Sequence, residues 1–304
     1  MKLKNTLALS LAAVMAAGLT ACGSSADTAS AAADSTAAES TEAAADTTAA
    51  PDGDGDPTTL TVAMECAYAP YNWTQNDDAN GAVEIRGSSD YAYGYDVMMA
   101  KKIGEALGQK VQIVKLDWDS LIPAVMSGDV DCVIAGQSIT AERAAQVDFS
   151  DPYYYASIVT LTKKDSAYAN AASVADLAGA TATSQLGTIW YDTCLPQIEG
   201  AQLMPASETA PAMVMAVTSG TVDYICTDMP TAMGACATYD NLVILDFYGS
   251  EDNFQVDAGE INIGISVVKG NTTLLDAMNA VLSGMTVEDM NQIMNEAIAV
   301  QPAI

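Results

Sequence analysis

From residue 58 onward, short apolar runs alternate with stretches in which apolar residues return every three or four positions. The pattern predicts a strand over 60–65 and a helix over 96–107 with Val97, Ala100, Gly104 and Leu107 on one face. A strand follows over 110–116. Asp119 then stands where it would cap a helix carrying Leu121, Ile122, Val125 and Met126, and 131–135 reads as another strand. Pro152 interrupts the pattern before a strand over 158–163. A polar, turn-rich stretch over 249–259 precedes a strand over 261–269 and two helices from 273 onward. Strands alternating with helices imply largely parallel sheets with helices on their faces.

One piece of the pattern occurs twice: "AVMSGDVDCVIAG" at 124–136 and "AVTSGTVDYICTD" at 216–228 share a helix end, a Ser-Gly turn, Val-Asp and an apolar strand. Two similarly built lobes are expected, with 58–155 and 256–304 forming the first and 156–255 the second. Ligands of open α/β sheets collect at the carboxyl ends of strands, here 135–138 and 227–228.

Ahead of residue 58 the pattern is absent. Lys2 and Lys4 precede an apolar run over 7–17, and Leu19-Thr20-Ala21-Cys22-Gly23 closes it with small residues, so 1–21 reads as a signal peptide. The closing motif resembles a bacterial lipobox, which implies lipidation of Cys22 and attachment to the outer face of the cytoplasmic membrane. Residues 22–57 are Ala, Ser, Thr, Asp, Glu, Gly and Pro after the cysteine, the composition of a disordered tether. No later apolar run nears the ~18 residues of a membrane span.

Composition removes several chemistries. Among 304 residues there is no histidine, which excludes nucleophiles activated by imidazole and zinc sites built on it. With 39 acids against 11 bases and a formal charge of −28, nucleic acid is an unsuitable partner. Cys66, Cys132, Cys194, Cys226 and Cys236 show no CxxC spacing; Cys132 and Cys226 lie in apolar runs and read as small core residues.

The stretch "AGQSITAERAAQVDFSDPYYY", residues 135–155, sets Arg143 near the start of a helix that Thr140 would cap. Its planar fork suits a carboxylate, and free N–H groups of a helix start favour an anion as well. A surface ion pair with Glu142 or Asp148 is the plainer alternative. Asp228 has two readings too, a ligand for a cation and the N-cap of the helix that follows.

The stretches "LTVAMECAYAPYNW", "GYDVMMAKKIGEALG", "LDWDSLIPAVMSGDVDCVIAGQSITAERAAQVDFSDPYYY", "GTVDYICTD" and "INIGISVVKGN" resemble the type II extracellular solute-binding proteins of polar amino acid ABC transporters. The resemblance implies two α/β lobes with mixed, mainly parallel sheets joined by a two-strand hinge, the Venus flytrap form of periplasmic binding proteins. It further implies that Arg143 binds an α-carboxylate and Asp228 an α-ammonium. Ser138 and the backbones of Ala135, Gly136 and Thr188 would complete the hydrogen bonds, with Tyr68 and Trp118 as aromatic walls and Glu65 at the side-chain end. The expected protein is a monomer without cofactor or catalytic activity. It would take up a polar or cationic amino acid and pass it to an ABC permease with its ATPase subunits.

Three features depart from the family pattern. The segment over 72–94 is longer, polar and glycine-rich and is expected to cover or reshape the pocket mouth. Leu186 and Ile189 place apolar groups beside Gly187-Thr188, and the last helix lacks aromatics. Relatives of this fold that dehydrate prephenate-like acids or cleave cell-wall glycans provide the alternative reading, with Glu65 as an acid.

Overall fold

The computed structural model describes residues 57–302, so the predicted signal peptide, Cys22 and all but the last residue of the tether lie outside the described residues. Two five-stranded sheets of the same plan organise the body. In the first, Thr59–Met64 lies parallel between Lys110–Lys115 and Cys132–Val133. Ser266–Val267 then runs antiparallel to Cys132–Val133, and Asp148–Phe149 forms the far edge. In the second, Thr181–Thr183 lies parallel between Gln202–Leu203 and Tyr224–Asp228. Ile158–Lys163 runs antiparallel to Tyr224–Asp228, and Leu242–Leu245 forms the edge. Helices cover both faces of such sheets, which is why Thr59–Met64 is buried from its second residue onward and reads as a continuous apolar run.

The repeated sequence motif has a physical counterpart. Asp131 Oδ2 accepts from the N–H of Thr61 at 2.7 Å and from its hydroxyl at 2.5 Å, on the neighbouring parallel strand. In the second sheet Asp223 Oδ2 accepts from the N–H of Thr181 at 2.8 Å and from its hydroxyl at 2.7 Å. Each aspartate thereby satisfies the donors where its strand enters the sheet. Both preceding helices, Leu121–Ser127 and Ala210–Thr218, are followed by a left-handed glycine, Gly128 and Gly220, the conformation that lets a helix reverse.

The chain passes between the lobes on paired strands: Tyr154–Tyr155 runs antiparallel to Asn262–Ile263. The closing helices are Thr272–Leu282 and Val287–Val300. Beyond them Gln301 donates from Nε2 to the Gly234 carbonyl at 2.9 Å, tying the end of the described chain to the helix Met229–Thr238.

Several expectations need correction. Asp119 caps nothing; it sits inside a short 3-10 turn, Trp118–Ser120, ahead of the helix. Met126 faces solvent at 48% exposure, because that helix has only two turns and buries Leu121, Ala124 and Val125. Segment 72–94 lines neither cleft described below. It forms a small sheet in which Asn72–Gln75 pairs with Ala67–Tyr68 and with Tyr91–Tyr93, and Val83–Glu84 pairs with Tyr91–Tyr93. Its Ile85 bridges in parallel to Ile113, so the extra residues extend the edge of the first sheet. Covering an edge strand blocks its pairing with other chains.

Candidate functional site

The carboxyl ends of the strands face one another across the interlobe space, and their residues bond across it. Tyr68, just past Thr59–Met64, donates its hydroxyl to Asp228 Oδ2 at 2.8 Å. Gln185, just past Thr181–Thr183, donates to Glu65 Oε2 at 3.4 Å. Arg143 donates from Nη1 to the Ser138 carbonyl and from Nη2 to the Gly187 carbonyl, both at 2.9 Å. These side-chain contacts connect the lobes across the interlobe space.

Arg143 stands on the short helix Ala141–Ala144, whose N-cap Thr140 accepts from the Arg143 N–H at 3.2 Å. Among the described residues the recorded ion pairs are Lys163 with Asp165 and Lys269 with Asp148. The expected alternative partners of Arg143 thus form no ion pair with it. Its guanidinium lies 5.2 Å from the centre of the Trp118 ring, and burial lowers its pKa to about 10, leaving it charged at neutral pH. Glu142 and Asp192 act on this half-buried cation from beyond ion-pair distance, and its two hydrogen bonds go to neutral carbonyls, so its fork is free of any carboxylate contact.

Asp228 is 1% exposed. It does cap the helix Met229–Thr238, with Oδ1 accepting from the Thr231 N–H at 2.8 Å, while Oδ2 faces Tyr68. Burial raises its pKa against these hydrogen bonds. Both sequence readings of Asp228 thus find a place: one oxygen holds the helix and the other points between the lobes.

Two clefts flank this closed centre. One, of about 540 Å³, is lined by Arg143, Trp118, Gln137, Thr188, Ile189 and others. The second, of about 430 Å³, holds Glu65 with Asp117, Asp119, Glu208 and Leu186, and shares Trp118 with the first. Trp118 therefore walls both spaces and also covers Arg143. Glu65 is 5% exposed, and burial pushes its pKa up to about 7, with Asp117 and Asp119 adding to the rise and Gln185 opposing it.

The structure does not place all the expected residues at one open pocket. Tyr68, Ala135, Gly136, Ser138 and Asp228 are buried and line neither cleft. Tyr68 stacks on Tyr71 with ring centres 4.8 Å apart, and a Cβ on Gly136 would meet its ring at 2.6 Å. The Gly136 N–H is taken by the Tyr153 hydroxyl at 2.9 Å, and Ser138 offers its carbonyl to Arg143. Thr188 turns its hydroxyl to the Gln185 carbonyl at 2.7 Å. Sequence reasoning missed Gln185 and Tyr71. A polar residue two positions past a strand end is the signal that marks Gln185.

Two α/β lobes hinged on paired strands, with a carboxylate on one and an unpaired guanidinium on the other, define a two-lobed binding protein. The sequence profile of the bacterial extracellular solute-binding proteins, family 3, matches residues 60–298, and the chain belongs to that family. The arginine-binding extracellular protein ArtP of Bacillus subtilis (strain 168) is 32% identical over 187 residues, which take in 62% of this chain and 58% of that protein. A probable histidine-binding protein of Campylobacter jejuni is 30% identical over 197 residues, 64% of this chain and 70% of that one. Among solved structures, the ancestral amino acid-binding protein AncCDT-1, a precursor of cyclohexadienyl dehydratase, superposes with a TM-score of 0.64 at 29% identity, covering 79% of this chain and 96% of that one. The type II Venus flytrap fold is common to such structures.

Proposed function

We propose that the protein captures a free L-amino acid with a polar or cationic side chain between its lobes and delivers it to an ABC permease and its ATPase subunits. The observation that carries this reading is Arg143, a half-buried cation that forms no ion pair and lines a cleft at the lobe junction. Its fork would take the α-carboxylate, and Asp228, reached when Tyr68 withdraws, would take the α-ammonium. Glu65 would face the side chain. The named ligands of the arginine-binding and histidine-binding relatives support a cationic side chain. Closure would shift an existing equilibrium between open and shut forms by the ligand's additional contacts in the shut form.

The same reading places the protein outside the cytoplasmic membrane as a lipid-anchored monomer held through Cys22, which lies outside the described residues. It acts without cofactor or catalysis. Calorimetric titration of each standard amino acid into protein freed of carried-over ligand tests the proposal, and at least one should bind with micromolar or tighter affinity. Binding of none of them, together with turnover of a prephenate-like acid, would replace this reading with the enzymatic one. Cys22→Ala should release the protein from membranes, and unchanged retention would remove the anchor.

A further inference from the structure

Behind the candidate site lies a buried carboxylate to which no ligand role falls. Asp96, at the start of the helix Tyr95–Leu107, is 0% exposed. Its Oδ1 accepts from the Tyr153 hydroxyl and its Oδ2 from Asn72 Nδ2, each at 2.7 Å. Each of these partners makes one further bond. The Tyr153 oxygen accepts from the Gly136 N–H at 2.9 Å, and Asn72 Oδ1 accepts from the Cys66 N–H at 2.7 Å. Asn72 and Tyr153 are themselves 0% exposed, so water cannot replace a lost partner.

The two far ends of this network are the two segments of the first lobe that carry the site. Gly136, at φ 62°, sits between Ala135 and Ser138, whose carbonyl holds Arg143. Cys66, at φ 53°, sits between Glu65 and Tyr68 in a left-handed conformation that a non-glycine residue adopts only at a cost of about 1–3 kcal/mol. From these contacts we propose that Asp96 is a positioning residue for ligand recognition, fixing the 65–68 and 135–138 segments in register through Asn72 and Tyr153.

The chemistry that permits this is the acceptor-only character of a carboxylate. Burial raises the Asp96 pKa to about 7 against the bonds from Tyr153 and Asn72, so above that pH Asp96 only accepts: the Tyr153 proton must point inward, and its oxygen is left to receive Gly136. For the same reason the Asn72 amide must turn its NH2 inward, and its oxygen is left to receive Cys66. One charge thus sets the direction of both arms. An asparagine at position 96 keeps the shape and loses the direction. With its NH2 toward Asn72, that amide must flip and oppose a donor to the Cys66 N–H. With its NH2 toward Tyr153, the tyrosine proton is left without an acceptor.

The proposal rests on the reading of these segments as ligand-contacting, and its test separates the two. Amide hydrogen exchange on the unliganded protein reads the network directly. Tyr153→Phe should lower protection at Gly136 and leave Cys66 unchanged, Asn72→Ala should do the reverse, and Asp96→Asn should lower at least one of them. The amino acid that binds the wild type in the calorimetric screen should bind Asp96→Asn about tenfold more weakly, the loss of one hydrogen bond to a charged group. Binding within twofold, or unchanged protection at both amides in folded Asp96→Asn, would overturn the proposal. If Asp96→Asn does not fold, the two single-arm variants decide by the same criteria. Failure of the wild type to bind any amino acid would count against the proposed function alone, because the exchange pattern would still decide whether Asp96 holds the two segments.

Discussion

Arg143→Ala removes the cation around which the site is arranged, and the structure sets the size of the effect. The guanidinium gives two hydrogen bonds at 2.9 Å and packs 5.2 Å from the Trp118 ring centre. A carboxylate about 4 Å away would gain about 4 kcal/mol at an effective dielectric of 20, before the desolvation of both groups is subtracted. Part of the arginine's share of that desolvation is met in advance, because it is already half-buried and its pKa is lowered to about 10. A net loss of about 3 kcal/mol follows, which weakens binding by roughly a hundredfold or more. Arg143→Lys keeps the charge but not the fork, and should retain about a tenth of the wild-type affinity. Isothermal titration with the ligand found in the amino acid screen measures both. Circular dichroism confirms that the variants fold, since Gly187 lines an open cleft where water can replace the arginine on its carbonyl. Wild-type affinity in Arg143→Ala would refute the reasoning, because no other cation lines that cleft among the described residues.

Further consequences follow from the neighbouring contacts. Glu65 has a folded-state pKa of about 7 against an ordinary 4.5, so the folded protein holds that proton more tightly than the unfolded chain. Its contribution to stability is therefore greatest below 4.5 and falls as pH rises to about 7; Asp96, also raised to about 7, adds a fall of the same sign, so Glu65→Gln should reduce, without abolishing, the drop in melting temperature of the unliganded protein across that window. If the ligand's side chain is cationic, binding at pH 7 should release a proton, seen as a heat that changes with the buffer's ionisation enthalpy; Glu65→Gln should abolish it. Tyr68→Phe removes the hydroxyl bond to Asp228, worth about 1.5–3 kcal/mol to a charged group, and should shift the unliganded protein toward the open form, read as a larger radius of gyration in X-ray scattering. Gly136→Ala combines a left-handed backbone with a Cβ 2.6 Å from the Tyr68 ring and should cost about 2–4 kcal/mol in chemical denaturation.

The sequence made the alternation of strands and helices legible because the strands are buried on both faces and the helices on one. Thr140 and Asp228 were readable as caps, since a short side-chain acceptor ahead of a helix serves free N–H groups within its reach. The repeated Val-Asp pointed to two lobes of one plan, although its bond to a threonine on the neighbouring strand needs the sheet register to be seen. What was hidden depends on distant pairing. Tyr68 and Asp228 are 160 positions apart, and nothing local says that the phenol occupies the carboxylate. The role of 72–94 was hidden for the same reason, as its polar composition fits a mouth cover as well as a sheet edge. Asp96 did leave a trace, an acid in the buried face of an amphipathic helix, which calls for partners that only the fold identifies.

The central claim is that one small zwitterion bridges the lobes, with its carboxylate on Arg143 and its ammonium on Asp228. A crystal structure of the protein with the amino acid selected by calorimetry tests it most directly. The account predicts the ligand carboxylate in the Arg143 fork and the ammonium on Asp228, with the Tyr68 hydroxyl moved off that aspartate. A ligand seated elsewhere, with Arg143 still on the Gly187 carbonyl and Tyr68 still on Asp228, would contradict it.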